Sequence, residues 1–174
     1  MSLVKKKERK QNQISLAEIL LYNESQSSDL SVHGETVMKE YLHKVQYYET
    51  DMMGITHHSN YIRWMEEARI DFLSQIGWDY AELEKEGIIS PVLNVTCDFK
   101  KPTSFPDIVM ISVAVQEFKG VKLHLVYEMK NVKGQVVCIG TSTHAFLNAE
   151  GRPIRMKQEQ PNLYEALSKL AEKR

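Results

Sequence analysis

The sequence predicts an α+β fold in which a curled antiparallel sheet of about five strands wraps around one long helix. One segment has apolar residues at three- and four-residue steps over most of a helix circumference. Four later segments have the alternating or continuous apolar pattern of strands, and short turns join them, which favours antiparallel neighbours. A helix that is apolar on so many sides needs cover, and a sheet bent around it provides that cover.

The predicted domain opens with a strand and the long helix. The strand covers residues 41 to 48, which are rich in aromatic and β-branched side chains. A loop around Gly54 follows, and then the helix, with Ser59 or Asn60 as a candidate cap and Gly77 as its predicted end. The apolar face of the helix consists of Tyr61, Met65, Ala68, Phe72 and Ile76, widened by Ile62, Trp64, Ile70 and Leu73.

The rest of the chain is predicted to be mostly β. A shorter helix is expected at residues 78 to 86, and an amphipathic helix near the C-terminus at residues 163 to 170. The predicted strands span residues 92 to 100, 108 to 118, 121 to 131 and 135 to 147. This order matches a hotdog fold, and a cystatin-like roll is the alternative that the pattern leaves open. Either sheet has an open edge strand, which favours pairing or stacking with a second copy.

Two regions differ in composition. Residues 1 to 38 form an N-terminal extension with a charge run, a short apolar stretch and a polar linker-like segment. We expect this extension to be flexible or to hold a short helix, and contact with a membrane surface is the alternative. Residues 39 to 174 form the predicted domain, which includes the short C-terminal helix.

The totals exclude several classes of function. The chain has 174 residues and a formal net charge of -1, so no general attraction to nucleic acid is expected. No apolar stretch approaches the ~18 residues of a membrane span. Cys97 and Cys138 lie in strand-like runs without metal-ligand spacing, which indicates two reduced thiols, no metal site and a cytoplasmic location.

One segment, residues 49 to 61, is unlike a packing element. It places a carboxylate, a glycine, two histidines and an asparagine between the end of a strand and the start of a helix. Loops held by rigid elements are favoured places for chemistry. Backbone N–H groups at a helix start also carry a partial positive charge and can stabilise an oxyanion.

The stretch TDMMGITHHSNYIRWMEEAR, which runs from Thr50 to Arg69, resembles the signature of the 4-hydroxybenzoyl-CoA thioesterase family. It is especially similar to the bacterial short-chain acyl-CoA thioesterase branch. The matching features are Thr50-Asp51, Gly54, His58, Asn60-Tyr61 and Glu67-Ala68-Arg69. The resemblance implies a hotdog homodimer or homotetramer that hydrolyses acyl-CoA to a carboxylic acid and CoA at a subunit interface. It implies no metal and no cofactor, because coenzyme A is part of the substrate.

The family's catalytic aspartate falls on Asp51, and its histidine falls on His58. The branch often has a tyrosine before that histidine, where this chain has His57. The remaining expected substrate contacts are Gly54, Ser59, Asn60 and Tyr61. Some hotdog thioesterases use a helix glutamate instead, which makes Glu66 a second candidate.

Structural interpretations stay open beside these roles. Asp51 could be a turn or capping residue, and Asn60 could be a helix cap. His57 is expected to be an exposed or packing residue, and Tyr61 lies on the apolar face of the helix. Coenzyme A brings phosphates that need cations, and the candidates are Lys100, Lys101 and Lys119.

The chemistry of a thioester fits a loop aspartate. The leaving thiolate has a conjugate acid with a pKa of about 8.5, so its departure needs little proton donation. Asp51 could act as a general base on water or attack the carbonyl directly, and the sequence does not choose between these roles. A non-catalytic acyl-CoA-binding hotdog module and a hotdog hydratase or dehydratase are the alternative functions. The chain lacks the proline- and glycine-rich loop after a histidine that such hydratases have.

Overall fold

The computed structural model describes residues 38–172. The chain divides into two units, Met1–Lys39 and Glu40–Arg174, and every element below belongs to the second. The prediction for the extension lies, except for Met38, outside the described residues. In chain order the elements are β1 (Tyr41–Lys44), a 3-10 helix (Tyr47–Glu49), α1 (Ser59–Gln75), α2 (Tyr80–Lys85), β2 (Val92–Phe99), β3 (Ile108–Phe118), β4 (Lys122–Asn131), β5 (Val136–Ala145), α3 (Met156–Glu159) and α4 (Pro161–Glu172).

The strands form one antiparallel sheet with the order β1-β3-β4-β5-β2. Helix α1 packs against β1, β2 and β3, and α4 packs against β3. The edges of the sheet are the short strand β1 and the longer strand β2. This is the predicted α+β architecture, a five-stranded sheet curled around one central helix.

The inward face of α1 forms the centre of the core. Trp64, Met65, Ala68, Phe72 and Leu73 are each at most 3% exposed. Burial of a large apolar side chain stabilises a fold by about 1.5–3 kcal/mol. The predicted apolar face was too wide, because two isoleucines at its margin, Ile62 and Ile70, are 43% and 39% exposed.

The first predicted strand was too long. After Lys44 the chain leaves the sheet and forms the 3-10 helix Tyr47–Glu49. The cause is local, because the carboxylate of Glu49 accepts the backbone N–H of Gln46 at 2.7 Å and so closes a turn. The four later strands fall within two residues of their predicted ends.

A polar cluster lies between α1 and the sheet. The hydroxyl of Tyr127 contacts Ser142 Oγ at 2.8 Å, and Ser142 Oγ contacts His144 Nε2 at 2.7 Å. Arg69 is only 2% exposed, and its guanidinium lies over the ring of Tyr80 at 4.9 Å. Burial and the nearby Arg69 charge together lower the pKa of His144 from 6.5 to about 4. His144 is therefore neutral in the folded protein.

A neutral buried histidine makes stability depend on pH. An unfolded chain binds a proton at His144 near pH 6.5, whereas the folded chain binds it only near pH 4. The contribution of His144 to stability is therefore present above pH 6.5 and is lost as the pH falls towards 4. We expect His144 to make the free energy of unfolding about 2 kcal/mol lower at pH 5 than at pH 7.

Urea denaturation at the two pH values measures this effect. His144→Gln should show a smaller loss between pH 7 and pH 5 than wild type. The half-buried His124 gives the matched control, and His124→Gln should keep the wild-type pH dependence. Equal losses in wild type and His144→Gln would contradict the assignment.

Candidate active site

The loop between the 3-10 helix and α1 is a closed turn. Thr50 and Thr56 form an isolated β-bridge at its base. Inside it, the backbone N–H of Asp51 donates to Ile55 O at 2.9 Å, and that of Gly54 donates to Asp51 O at 2.9 Å. Gly54 has a φ of 74°, a left-handed conformation that favours glycine. The loop therefore has a defined shape that presents Asp51.

Asp51 uses only one of its two carboxylate oxygens in this turn. Its Oδ1 accepts the backbone N–H of Met53 at 2.8 Å. Its Oδ2 makes no hydrogen bond within residues 38–172, and the residue is half-buried. Asp51 is thus a turn residue, as the structural interpretation held, and it also keeps one oxygen available for chemistry.

The start of α1 leaves backbone donors available beside this loop. His58 occupies the N-cap with helical backbone angles and makes no side-chain cap, so the predicted caps Ser59 and Asn60 are wrong. The N–H of Asn60 donates to His57 O at 3.0 Å. In the described part of the chain, the N–H of His58 has no partner, and that of Ser59 has only a long contact of 3.4 Å to His57 Nδ1. These two N–H groups can donate to an oxyanion.

The two histidines stack on each other at the mouth of the loop. Their ring centroids are 4.2 Å apart, and both residues are exposed. His57 Nδ1 also contacts Ser59 Oγ at 2.8 Å. His58 makes no hydrogen bond to any described residue, and its side chain is exposed.

Asn60 and Tyr61, which were predicted as substrate contacts, point into the protein. Asn60 is 6% exposed, and its Nδ2 donates to Glu49 O at 2.9 Å. Tyr61 is 3% exposed, and its hydroxyl contacts Thr103 Oγ1 at 2.9 Å. Both side chains hold the loop and the helix together, which favours a structural role over direct contact with substrate, although for Asn60 that role is not the predicted helix cap.

Glu49 is a central residue of the site for which the sequence suggested no role. Its Oε1 accepts Trp64 Nε1 at 2.8 Å, and its Oε2 contacts His43 Nε2 at 3.0 Å. Burial by itself raises the pKa of Glu49, but hydrogen bonds from His43, Trp64 and the Gln46 N–H together hold it below 4.5. The Gln-x-x-Glu spacing of a capping box, from Gln46 to Glu49, was the available signal.

Thr103 is a second residue of the site that was missed. It is 1% exposed, and its Oγ1 contacts Thr56 Oγ1 at 2.7 Å. Its carbonyl accepts the backbone N–H of Thr56 at 2.8 Å, and the neighbouring Ser104 Oγ donates to Gly54 O at 2.7 Å. No local pattern could reveal this role, because Thr103 lies 47 residues from Thr56 in the sequence.

The three lysines proposed for CoA phosphates are not together. Lys100 and Lys101 lie just before Thr103, on the side of the sheet that carries the Asp51 loop. Lys119 follows the far end of β3, pairs with Glu117 at 2.6 Å, and lies away from this loop. Of the three lysines, Lys100 and Lys101 adjoin the candidate site within one chain.

The remaining expectations concern Glu66, metals and membranes. The side chain of Glu66 is 64% exposed and reaches Arg69 only at 3.9 Å, outside the Asp51 loop. Within residues 38–172, no three His, Cys, Asp or Glu side chains are arranged to hold a metal ion. None of the helices in that range is both long and apolar enough to cross a membrane. Cys97 and Cys138 are free thiols.

Known proteins share this fold and this sequence pattern. Residues 45–169 match the thioesterase-like superfamily, and the chain belongs to that family. It is 32% identical over 127 residues to the Bacillus subtilis protein named acyl-CoA thioesterase YneP, which covers 72% of this chain and 92% of that protein. The predictions of a thioesterase family and of a hotdog fold are confirmed, and the cystatin-like alternative is excluded.

Solved structures agree. A DHNA-CoA thioesterase from Staphylococcus aureus has a TM-score of 0.73 and 34% identity, covering 75% of this chain and 89% of that one. A gentisyl-coenzyme A thioesterase, BH1999, has a TM-score of 0.64 and 31% identity, covering 67% of this chain and 94% of that one. Both relatives are named for the hydrolysis of CoA thioesters.

The internal role of Asn60 can be tested by removing its amide. Asn60→Ala leaves a buried backbone carbonyl with one donor fewer, so we expect the free energy of unfolding to fall by about 1–2 kcal/mol. Ser59→Ala alters the adjacent, less buried residue and should cost less than about 0.5 kcal/mol. Urea denaturation measures both, and equal effects would contradict the internal role of Asn60.

Proposed function

We propose that this chain hydrolyses acyl-CoA thioesters to a carboxylic acid and CoA, with Asp51 as the essential carboxylate. The observation that carries the proposal is the free Oδ2 of Asp51 on a closed turn beside the available N–H groups of His58 and Ser59. Membership of the thioesterase-like superfamily and the names of the relatives support the same reaction.

The site supplies the two things that a thioester lacks in water. The N–H groups of His58 and Ser59, at the positive end of α1, polarise the carbonyl and stabilise its developing negative charge. Asp51 Oδ2 either removes a proton from water as it attacks, or attacks the carbonyl itself to form a mixed anhydride that water then hydrolyses. In both routes CoA leaves as a thiolate, which needs little proton donation. In this proposal the exposed ring of His58 orients the substrate.

Asp51→Asn tests the carboxylate. We expect kcat to fall about 10²- to 10⁴-fold, because asparagine keeps the turn contact to the Met53 N–H but is neither base nor nucleophile. Asp79→Asn is the matched control, since Asp79 also accepts backbone N–H groups through its Oδ1, at the start of α2. Asp79→Asn should keep wild-type turnover.

The measurement is release of CoA thiol from a panel of acyl-CoA esters. The panel should run from short to long acyl chains and include gentisyl-CoA and 1,4-dihydroxy-2-naphthoyl-CoA, because relatives are named for these. Near-full turnover by Asp51→Asn would refute the role of Asp51. A folded wild type that hydrolyses nothing but binds acyl-CoA would instead indicate the non-catalytic binding module.

Coenzyme A supplies the rest of the substrate, so the proposed reaction uses no further cofactor. We propose that Lys101, with Lys100, contacts its phosphates. Both lysines adjoin Thr103, and Lys101 has no ion pair within residues 38–172, whereas Lys100 pairs with Asp98. The free thiols of Cys97 and Cys138 fit a cytoplasmic location.

We infer that the active protein is a homodimer or homotetramer that associates through β2. This edge strand has three apolar side chains, Val92, Leu93 and Phe99, that are 54%, 50% and 49% exposed. An apolar open edge of this length favours pairing with another sheet.

Leu93→Lys tests this association. A charge at the edge strand should disfavour pairing, so we expect the sedimentation coefficient at equal concentration to fall to that of a monomer. Val121→Lys places the same charge at another exposed apolar residue, in the turn between β3 and β4, and should leave the oligomer intact. A Leu93→Lys protein that sediments like wild type would contradict the assignment of β2 as the interface.

A further inference from the structure

Glu49 lies two residues before Asp51, and the proposed mechanism gives it no part. We propose that Glu49 is a positioning residue that fixes both the Asp51 turn and the start of α1 in the geometry required for hydrolysis. This inference rests on the proposed thioesterase function. It concerns a residue that touches neither substrate nor reacting atoms and acts through the backbone on either side of it.

The backbone carbonyl of Glu49 joins the two halves of the site. It accepts the backbone N–H of His57 at 2.8 Å and the Asn60 side-chain N–H at 2.9 Å. The first bond spans the base of the loop that contains Asp51, and the second reaches the first turn of α1. A shift of this one oxygen therefore moves the carboxylate turn relative to the N–H groups of His58 and Ser59.

The carboxylate of Glu49 prevents such a shift. Its Oε1 accepts Trp64 Nε1 at 2.8 Å, and its Oε2 accepts the Gln46 N–H at 2.7 Å and contacts His43 Nε2 at 3.0 Å. These partners come from α1, from the residue before the 3-10 helix and from β1. His43 is held in turn by Glu67 Oε2, which contacts its Nδ1 at 3.1 Å. Glu49 is thus fixed from three elements.

An ionised carboxylate is the group that these partners require. Glu49 is 4% exposed, and hydrogen bonds from His43, Trp64 and the Gln46 N–H hold its pKa below the ordinary value despite burial. Trp64 Nε1 and the Gln46 N–H can only donate, so each oxygen of residue 49 must accept. A glutamine at this position has one acceptor oxygen, and its NH₂ group would face one of these donors. Glu49→Gln therefore disturbs the support with little change in volume.

Kinetics give the first test. For Glu49→Gln we expect kcat to fall about 10- to 100-fold, because small misplacements of reacting groups have effects of that size. We expect KM for acyl-CoA to change less than about twofold, because no expected substrate contact is altered. Trp64→Phe removes one donor and leaves the carboxylate in place, so kcat should fall less than in Glu49→Gln. If Glu49→Gln does not fold, a kcat of Trp64→Phe below that of wild type carries the test, and an unchanged kcat would contradict the proposal.

A matched control separates positioning from simple loss of stability. Leu167 on α4 is 0% exposed and belongs to no part of the site, so Leu167→Ala lowers stability at a remote position. Leu167→Ala should unfold at lower denaturant concentration and keep wild-type kcat. A kcat for Glu49→Gln no lower than that of Leu167→Ala would overturn the proposal.

Hydrogen exchange gives a readout that does not depend on turnover. We expect amides in residues 50 to 60 to exchange at least about tenfold faster in Glu49→Gln than in wild type or Leu167→Ala. Wild type without thioesterase activity would refute the proposed function, while the exchange rates would still decide whether Glu49 holds the loop. Unchanged exchange in residues 50 to 60 would overturn the positioning role.

Discussion

The structure depends on how closely α1 can approach the sheet. Met65 on the inward face of the helix packs directly against Gly140 on β5. A Cβ atom at residue 140 would lie 2.8 Å from Met65 Sδ and 3.2 Å from the carbonyl oxygen of Thr96, so a side chain there would displace Met65. The same helix face buries Trp64 and Phe72 in the core. The absence of a side chain at Gly140 therefore lets Met65 pack closely against the sheet.

The position of the helix in turn determines the site. Trp64 belongs to both regions, because its ring is fully buried in the core while its N–H donates to Glu49. The ring of Trp64 makes apolar contacts in the core, whereas its indole N–H belongs to the hydrogen bonds that connect the core to the loop. The base of that loop is buried and its tip is open, since Met52 and Met53 are largely exposed. Such an arrangement holds Asp51 in a hydrogen-bonded turn while leaving it partly exposed to solvent.

The sequence predicted the parts of the molecule that depend on periodic patterns. Strand β3 has the predicted ends, Ile108 and Phe118, because hydrophobic alternation is visible along a single element. Helix α1 ends before Gly77, as predicted, because a glycine readily adopts the positive φ found there. Asp51 and Gly54 were also predicted, since the turn is built from neighbouring residues. The 3-10 helix before them was not predicted. Its tyrosines are typical of strands, and the pattern does not show the hydrogen bond from the Gln46 backbone N–H to the Glu49 carboxylate.

Glu49 and Thr103 show what the sequence could not predict. The sequence suggested no role for the carboxylate of Glu49, because its partners His43 and Trp64 lie on separate elements. Thr103 lies in an irregular segment with no periodicity to interpret. The resemblance to a family identified residues of the loop and the start of α1 more readily than the distant residues that support them. Asn60 and Tyr61 belong to the family motif, but their side chains make contacts inside the fold.

The hydrogen bonds of Glu49 and those of Thr103 around the loop differ in the sequence separation of their partners. The bonds from Glu49 to Gln46 and Asn60 span 3 and 11 residues, whereas those from Thr103 to Tyr61 and Thr56 span 42 and 47. Contacts of short sequence separation close with little loss of chain entropy, and distant ones require most of the chain to be in place. A refolding chain is therefore expected to form the Asp51 turn early and to complete its surroundings late. Recovery of enzymatic competence would then report the long-range step of folding, after most local structure has returned.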